Sequence, residues 1–164
     1  MSQNSKKSDE VTRLSGSKET SDFVTMYISG QLFGIPVLDV HDVFAPTRLA
    51  HVPMAPPEIA GVLNLRGRIV TAIDLRQRLG YERRAHGSPV MAVVIEYQGE
   101  PYSLLVDAVG EVLSLEESSF ERSPSNLDVK LRDVAEGIFR LDDKLMVVIQ
   151  LDKVIQLLNG AMAA

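Results

Sequence analysis

The chain carries one strand-and-turn pattern twice, and this repetition restricts its fold more than any other feature. Short apolar stretches flank a glycine turn at residues 26–37, around Gly30, and again at residues 90–106, around Gly99. Alternating runs that meet at a glycine are typical of β-hairpins. A spacing of 69 positions separates Gly30 from Gly99 and also Val40 from Val109. The sequence therefore predicts two related hairpins in the two halves of the chain.

A second hairpin pattern repeats at a spacing of 76 positions. Residues 61–75 contain two apolar runs that meet near Gly67, and residues 137–151 repeat the arrangement. We interpret the two repeats as an internal duplication. Because a small barrel of about five strands buries little surface alone, two such units are expected to share a hydrophobic interface. We predict a mainly β fold with two five-stranded barrel lobes around a common core.

Short helices and loops complete the expected fold. Asp74 is a suitable N-cap for a helix that ends near Gly80, with Leu75 and Leu79 on its buried face. A longer C-terminal helix, ending near Gly160, would place one apolar stripe over a sheet. The members of that stripe are Leu151, Val154, Ile155 and Leu158. Residues 80–89 and 114–126 collect Gly, Ser, Pro and charged side chains, which is typical of loops.

The limits of the folded unit follow from where apolar residues begin. Residues 1–21 are expected to be a disordered tail, since few large apolar side chains stand among its Ser, Lys, Asp and Glu residues. Residues 22–160 form the expected domain, with one lobe over about 22–88 and the other over about 89–160. The sequence leaves open whether strands are exchanged between the lobes. No apolar run is long enough for a signal peptide or a membrane helix, so we expect a cytoplasmic protein without membrane insertion.

The sequence holds none of the residue patterns that enzyme sites require. The three histidines lack the spacing of metal ligands, no glycine loop opens a helix as phosphate binding requires, and no serine stands in a nucleophile elbow. We therefore expect no enzymatic activity, no metal and no cofactor. A net charge of −5, the absence of Trp and 5% aromatic residues also argue against nucleic-acid binding. A small β-barrel that binds nucleic acid is kept as an alternative.

Six arginines lie within the nineteen residues from Arg66 to Arg84, while residues 111–121 are acidic. These arginines could form a solvated surface or a docking surface for an acidic protein. The sequence leaves both interpretations open.

The segment Gly61-Val62-Leu63-Asn64-Leu65-Arg66-Gly67-Arg68-Ile69-Val70, followed by Ile73-Asp74-Leu75, closely resembles the signature hairpin of the CheW family. Other landmarks of that family are recognisable at residues 33–35, 40–43, 105–112 and 137–138. The resemblance covers about residues 22–158. Thr71 stands where the family often has proline, which only restores a backbone donor to the strand.

The resemblance implies a fold of two SH3-like barrels and a role as a chemotaxis coupling adaptor. Its expected partners are the cytoplasmic tip of methyl-accepting chemotaxis receptors and the regulatory domain of the histidine kinase CheA. The expected location is the receptor array on the inner face of the membrane. A paralogue that serves a non-flagellar chemosensory pathway would look alike. The resemblance implies that the receptor is contacted by a surface made of Val40, Asp42, Gly61, Asn64 and Arg66.

The residues themselves allow structural roles beside these. Val40 could be a core side chain, and Gly61 could be needed for a positive φ or for close approach of a receptor helix. Arg66 could bind a partner's carboxylate or pair internally with Asp42.

Overall fold

A computed structural model describes residues 19–122 and 127–156, and within these ranges eleven strands form two sheets. The strands are β1 Thr20–Ile28, β2 Gln31–Pro36, β3 Val40–Phe44, β4 Ile59–Leu65, β5 Arg68–Asp74, β6 Met91–Tyr97, β7 Glu100–Val106, β8 Ala108–Glu116, β9 Phe120–Glu121, β10 Ala135–Arg140 and β11 Leu145–Ile149. The predicted mainly β fold is therefore confirmed.

All four predicted hairpins form. Strands β1 and β2 turn at Ser29-Gly30, β6 and β7 at Gln98-Gly99, and β4 and β5 at Arg66-Gly67. Both residues of each of these turns have a positive φ, between 51° and 85°. Such two-residue turns match the right-handed twist of the strands, and glycine at the second position tolerates the conformation without steric cost. The fourth hairpin joins β10 to β11.

Each sheet takes strands from both halves of the chain. The first sheet has the order β8-β1-β2-β11-β10-β9, and the second has the order β3-β6-β7-β5-β4. The β1–β2 hairpin therefore lies in a sheet with strands of the second half, and the β6–β7 hairpin lies in a sheet with strands of the first half. The parallel contacts β2–β11 and β5–β7 join each hairpin to those strands. A division of the chain near residue 88 does not separate the two lobes, because the first hairpin of each half, β1–β2 and β6–β7, belongs to the lobe formed mainly by the other half.

The chain passes between the sheets at two places. The first crossover is a 3-10 turn, Val37–Asp39, between β2 and β3. The second is the single residue Asp107, between β7 and β8. One buried cluster includes Met26 and Phe33 of the first sheet and Ile95 and Leu104 of the second. The two lobes therefore share a hydrophobic core, as predicted.

The short helix Leu75–Arg78 confirms the prediction for this segment. Oδ1 of its N-cap Asp74 accepts a hydrogen bond from the Arg76 backbone N–H, and Leu75 and Leu79 are buried. A C-terminal helix runs over residues 151–156, with Val154 and Ile155 buried against the common core. Its predicted continuation through Leu158 to Gly160 lies outside the described residues.

Two predicted boundaries are wrong. Strand β1 begins at Thr20 because Thr20 and Ser21 pair with Glu116 and Leu115, so residues 20 and 21 belong to the sheet. The remainder of the predicted tail, residues 1–18, lies outside the described part of the chain. Residues 114–121 are not a loop but the end of β8, a 3-10 turn and β9. Their polar composition reflects a sheet edge that is exposed to water.

One smaller difference concerns a helix. The helix Val129–Arg132 was not expected from the sequence; Oδ1 of its N-cap Asp128 accepts from the Lys130 N–H. None of the helices among the described residues has the length and apolar character that crossing a bilayer would require.

Candidate functional site

An ion pair joins the two edge strands of the second sheet. Asp42 lies on β3 at one edge, and Arg66 lies in the turn that follows β4 at the other edge. Nη2 of Arg66 donates to Oδ2 of Asp42 at 3.3 Å, and Oδ1 of Asp42 accepts from the Val43 N–H at 2.8 Å. The sequence had left open whether Arg66 pairs internally, and the structure shows that it does.

The Arg66 side chain remains largely available to a partner. It is 84% exposed, whereas Asp42 is 30% exposed. A guanidinium has five N–H donors in a planar fork, and the hydrogen bond to Asp42 uses one of them. The remaining donors of Arg66 face water and can receive a second carboxylate in bidentate geometry.

Asn64 fixes the turn that presents Arg66. Its side-chain Oδ1 accepts from the Gly67 backbone N–H at 2.9 Å, across the tip of the β4–β5 hairpin. Asn64 is exposed, and Arg66 has a φ of 52°. The amide therefore holds a left-handed backbone that arginine does not favour by itself.

A surface depression of about 190 Å³ lies beside this ion pair. Arg66 and Arg68 line it on one side, and His41 and Glu96 line it on the other. Nε2 of His41 stands 3.4 Å from Oε2 of Glu96, and both side chains are about half exposed. Sequence reasoning missed Glu96, because only the pairing of β3 with β6 brings it next to His41.

Val40 lies at the start of β3, opposite Ile95, which lines the same depression. Its side chain is half-buried and packs against the common core. The core interpretation of Val40 is therefore supported, and Asp42 follows two residues later on the same strand. The structure therefore groups Val40, Asp42, Asn64 and Arg66 at one end of the second sheet.

Gly61 occupies a different place. It is buried on β4 at a bulge, with a φ of 151°, and four residues of strand, about 13 Å, separate it from Leu65 at the other end of β4. A Cβ at this position would stand 2.5 Å from the Ala50 carbonyl oxygen. Ala50 and Val62 exchange two backbone hydrogen bonds at 2.8 and 2.9 Å. The missing side chain of Gly61 accommodates the chain's own 49–50 segment, so its nearest neighbour is internal.

Most of the arginine cluster is engaged within the chain. Arg76 and Arg84 bind Asp107, and their side chains are 16% and 14% exposed. Arg78 donates to the carbonyl oxygens of Lys153 and Val154. Together with the pairing of Arg66, these contacts leave Arg68 and Arg83 as the cluster members that have neither a hydrogen bond nor an ion pair among the described residues. Four of the six arginines therefore have partners within the chain, which supports the solvated or structural interpretation of the cluster over a broad docking surface.

Sequence reasoning also missed Asp107 as a centre of contacts. Burial by itself raises the pKa of its carboxyl group, but hydrogen bonds from the Ser29 N–H, Arg84 and Arg76 outweigh burial and lower that pKa below its ordinary value. No group of three or more His, Cys, Asp or Glu side chains that could hold a metal ion occurs in the described ranges.

Comparison with known proteins identifies relatives along almost the whole described chain. Residues 22–159 match the family model described as CheW-like domain. The crystal structure of scaffolding protein TtCheW from Thermoanaerobacter tengcongensis superposes with a TM-score of 0.72 at 31% identity, covering 80% of this chain and 90% of that one. This likeness confirms the expected fold of two SH3-like lobes.

Curated relatives carry two kinds of name. Chemotaxis protein CheW of Klebsiella aerogenes is 23% identical over 145 residues, which cover 88% of this chain and 87% of the relative. Protein PilI of Pseudomonas aeruginosa is 25% identical over 120 residues, which cover 73% of this chain and 67% of the relative.

Proposed function

The chain belongs to the CheW-like family of chemotaxis scaffold proteins, which are adaptors and not enzymes, and from this premise we propose that it couples methyl-accepting chemotaxis receptors to the histidine kinase CheA. Its site of action would be the receptor array at the inner face of the membrane. An adaptor adds no chemical step; it holds two partners at high effective concentration, so that the conformation of one biases the activity of the other.

The observation that carries this proposal is the exposure of Arg66. Its guanidinium is held toward Asp42 at 3.3 Å, yet 84% of the side chain is open to solvent. Since an exposed pair of this kind contributes only about 0–1 kcal/mol to stability, its geometry is better suited to orienting the guanidinium than to holding the fold together. A carboxylate on the receptor's helical tip is the partner group that this orientation fits.

The adjoining depression supports the same assignment. Its apolar floor includes Val70 and Ile95, and its rim carries Arg66, His41 and Glu96. An amphipathic helix that docks in a groove uses such an apolar strip flanked by charged groups. We place the receptor helix along this end of the second sheet, in contact with Val40, Asp42, Asn64 and Arg66, and we assign Gly61 an indirect role through the 49–50 segment.

The two-lobed architecture provides a separate surface for the kinase. A receptor helix on the second sheet leaves the edges of the first sheet free for the regulatory domain of CheA. The internal duplication has physical meaning in this arrangement, because two related lobes give two faces that can be occupied together.

A second candidate function is coupling in a chemosensory pathway that does not control flagella. The likeness to Protein PilI, which does not carry the chemotaxis name, favours this candidate. Receptor coupling through the same surface would be expected in both cases.

The proposal is tested by reconstituted autophosphorylation of CheA with receptor membranes, in the presence of the wild-type protein, Arg66→Ala or Arg66→Asn. Both substitutions remove the guanidinium, and asparagine suits the positive φ at this turn, so Arg66→Asn is expected to keep the fold. Wild type should activate the kinase only with receptors present. Both variants should bind receptors about tenfold or more weakly, as is common when a central arginine is lost.

Arg83→Ala is the matched control, because it also removes one exposed guanidinium but lies outside the depression. Full activation by folded Arg66→Asn would assign Arg66 to structure alone. Activation that is abolished equally by Arg83→Ala would show a nonspecific charge effect. Wild type that fails to activate any receptor and kinase pair would contradict the coupling proposal itself.

A further inference from the structure

The two crossovers between the sheets are unequal. At the spacing of 69 positions, Leu38 in the first crossover corresponds to Asp107 in the second. Leu38 is 91% exposed, and its 3-10 turn has no side-chain capping hydrogen bond. Asp107, in contrast, is 25% exposed and is held by groups from both sheets. A polar anchor therefore stands at only one of the two positions that this spacing relates.

The groups around Asp107 come from opposite sides of the lobe boundary. From the first sheet, the Ser29 backbone N–H donates to Oδ2 at 2.8 Å. From the side of the second sheet, Nη1 of Arg76 donates to Oδ2 at 2.6 Å, and Nη2 of Arg84 donates to Oδ1 at 2.9 Å. The Asp107 backbone N–H also donates to the Tyr27 carbonyl oxygen at 3.0 Å. One carboxylate thus ties the β1–β2 turn to the helix and loop that follow β5.

These contacts restrict rotation of the two lobes relative to each other, which the common core restricts less. Burial of apolar surface is non-directional, so it opposes separation of the lobes more than their rotation. Charge-assisted hydrogen bonds have defined distances and angles, and those at Asp107 are short and partly shielded from water. Asp107 is also the residue at which the chain passes from one sheet to the other, so its hydrogen bonds directly oppose a change of the angle between the sheets.

We propose that Asp107 is a positioning residue that fixes the orientation of the two lobes relative to each other, with Ser29, Arg76 and Arg84 as its partners. The first crossover, at Leu38, has no such polar anchor, so the directional constraint between the lobes comes from the second crossover. The consequence for signalling rests on the proposed coupling function: a receptor on one lobe can bias a kinase on the other only while the angle between the lobes is defined.

The orientation is measured by the distance between two spin labels, one on each sheet. The chain contains no cysteine, so labels placed through Ile69→Cys on β5 and Val112→Cys on β8 are unique. Both positions are exposed, at 69% and 58%. We expect Asp107→Asn, which keeps the shape of the side chain and removes its charge, to shift or broaden the distance distribution relative to the otherwise wild-type protein.

Glu121→Gln is the matched control. It removes a carboxylate paired with Arg140 at 2.6 Å within the first sheet and should leave the distribution unchanged. If Asp107→Asn does not fold, Arg84→Lys carries the same test, because lysine keeps the charge but cannot donate from two nitrogens to one carboxylate oxygen. A wild-type distribution in every folded variant at the Asp107 cluster would overturn the proposal.

Kinase activation distinguishes this inference from the proposed function. Loss of receptor-dependent activation by Asp107→Asn, with binding to each partner alone retained, supports the positioning role. Full activation despite a shifted distribution would overturn the link between lobe orientation and signalling. If wild type itself does not activate the kinase, the proposed function fails while the distance measurement still decides the structural role of Asp107.

Discussion

Substitution of Gly61 distinguishes most clearly between a structural role and a direct contact with the receptor. The perturbation is Gly61→Ala, compared with Gly67→Ala in the adjoining turn. Both glycines have a positive φ, 151° and 85°. A Cβ on Gly67 would meet nothing within 4 Å, whereas a Cβ on Gly61 would stand 2.5 Å from the Ala50 carbonyl oxygen. The pair therefore separates the cost of backbone conformation from the cost of steric overlap.

The expected magnitudes follow from these contacts. An alanine held at a positive φ costs about 1–3 kcal/mol at either position. At Gly61 the overlap is with backbone, so the 49–50 segment must move and break its two hydrogen bonds with Val62, at about 1 kcal/mol each. We expect a loss of about 1–3 kcal/mol for Gly67→Ala and about 2 kcal/mol more, about 3–5 kcal/mol, for Gly61→Ala, a large part of the stability of a domain this size.

Urea unfolding followed by circular dichroism measures both changes, with the slope of the transition checked for constancy. Equal stability losses at the two positions would refute the assignment of Gly61 to the contact with Ala50. A Gly61→Ala protein as stable as wild type that no longer binds receptors would instead make Gly61 a direct contact.

Two further predictions concern polar groups, one buried and one partly buried. Ser103 is fully buried and its hydroxyl finds no partner among the described atoms, so Ser103→Ala should leave the stability unchanged or raise it by up to about 1 kcal/mol in urea unfolding; a loss above about 1 kcal/mol would reveal a hydrogen bond. Asp107 has a lowered pKa, so its stabilising contribution is complete above the unfolded value near 3.8 and is lost as the pH falls through the lower folded pKa. The stability difference between wild type and Asp107→Asn should therefore be constant from pH 7 to about 5 and shrink below about pH 4. A difference that persists at pH 2 would contradict this role of the charge.

Local pattern in the sequence was sufficient to predict the four hairpins and the first short helix. The hairpin at Arg66-Gly67 and the N-cap at Asp74 depend on contacts within a few residues, and such contacts are determined by side-chain type and spacing. The pairing of Arg66 with Asp42 was one of two interpretations that the residues allowed. The two side chains meet only because the second sheet brings its edge strands, β3 and β4, close together.

The errors arose where local composition and tertiary environment disagree. The polar segment at 114–121 has the composition of a loop, but its backbone pairs with β1 and β10 at the margins of the first sheet. Edge strands tolerate charged and polar side chains because one side of them faces water, so composition alone does not distinguish them from loops.

The sequence by itself determined the repeated hairpins, the mainly β class, the presence of a shared core and the family. Only the tertiary structure decided that the hairpins β1–β2 and β6–β7 are exchanged between the two lobes. It also decided that Ala50 covers Gly61 and that Asp107 joins the two lobes. The physical reason is that these contacts join residues distant in the chain. Their partners are selected by the packing of whole sheets, which no short window of sequence contains.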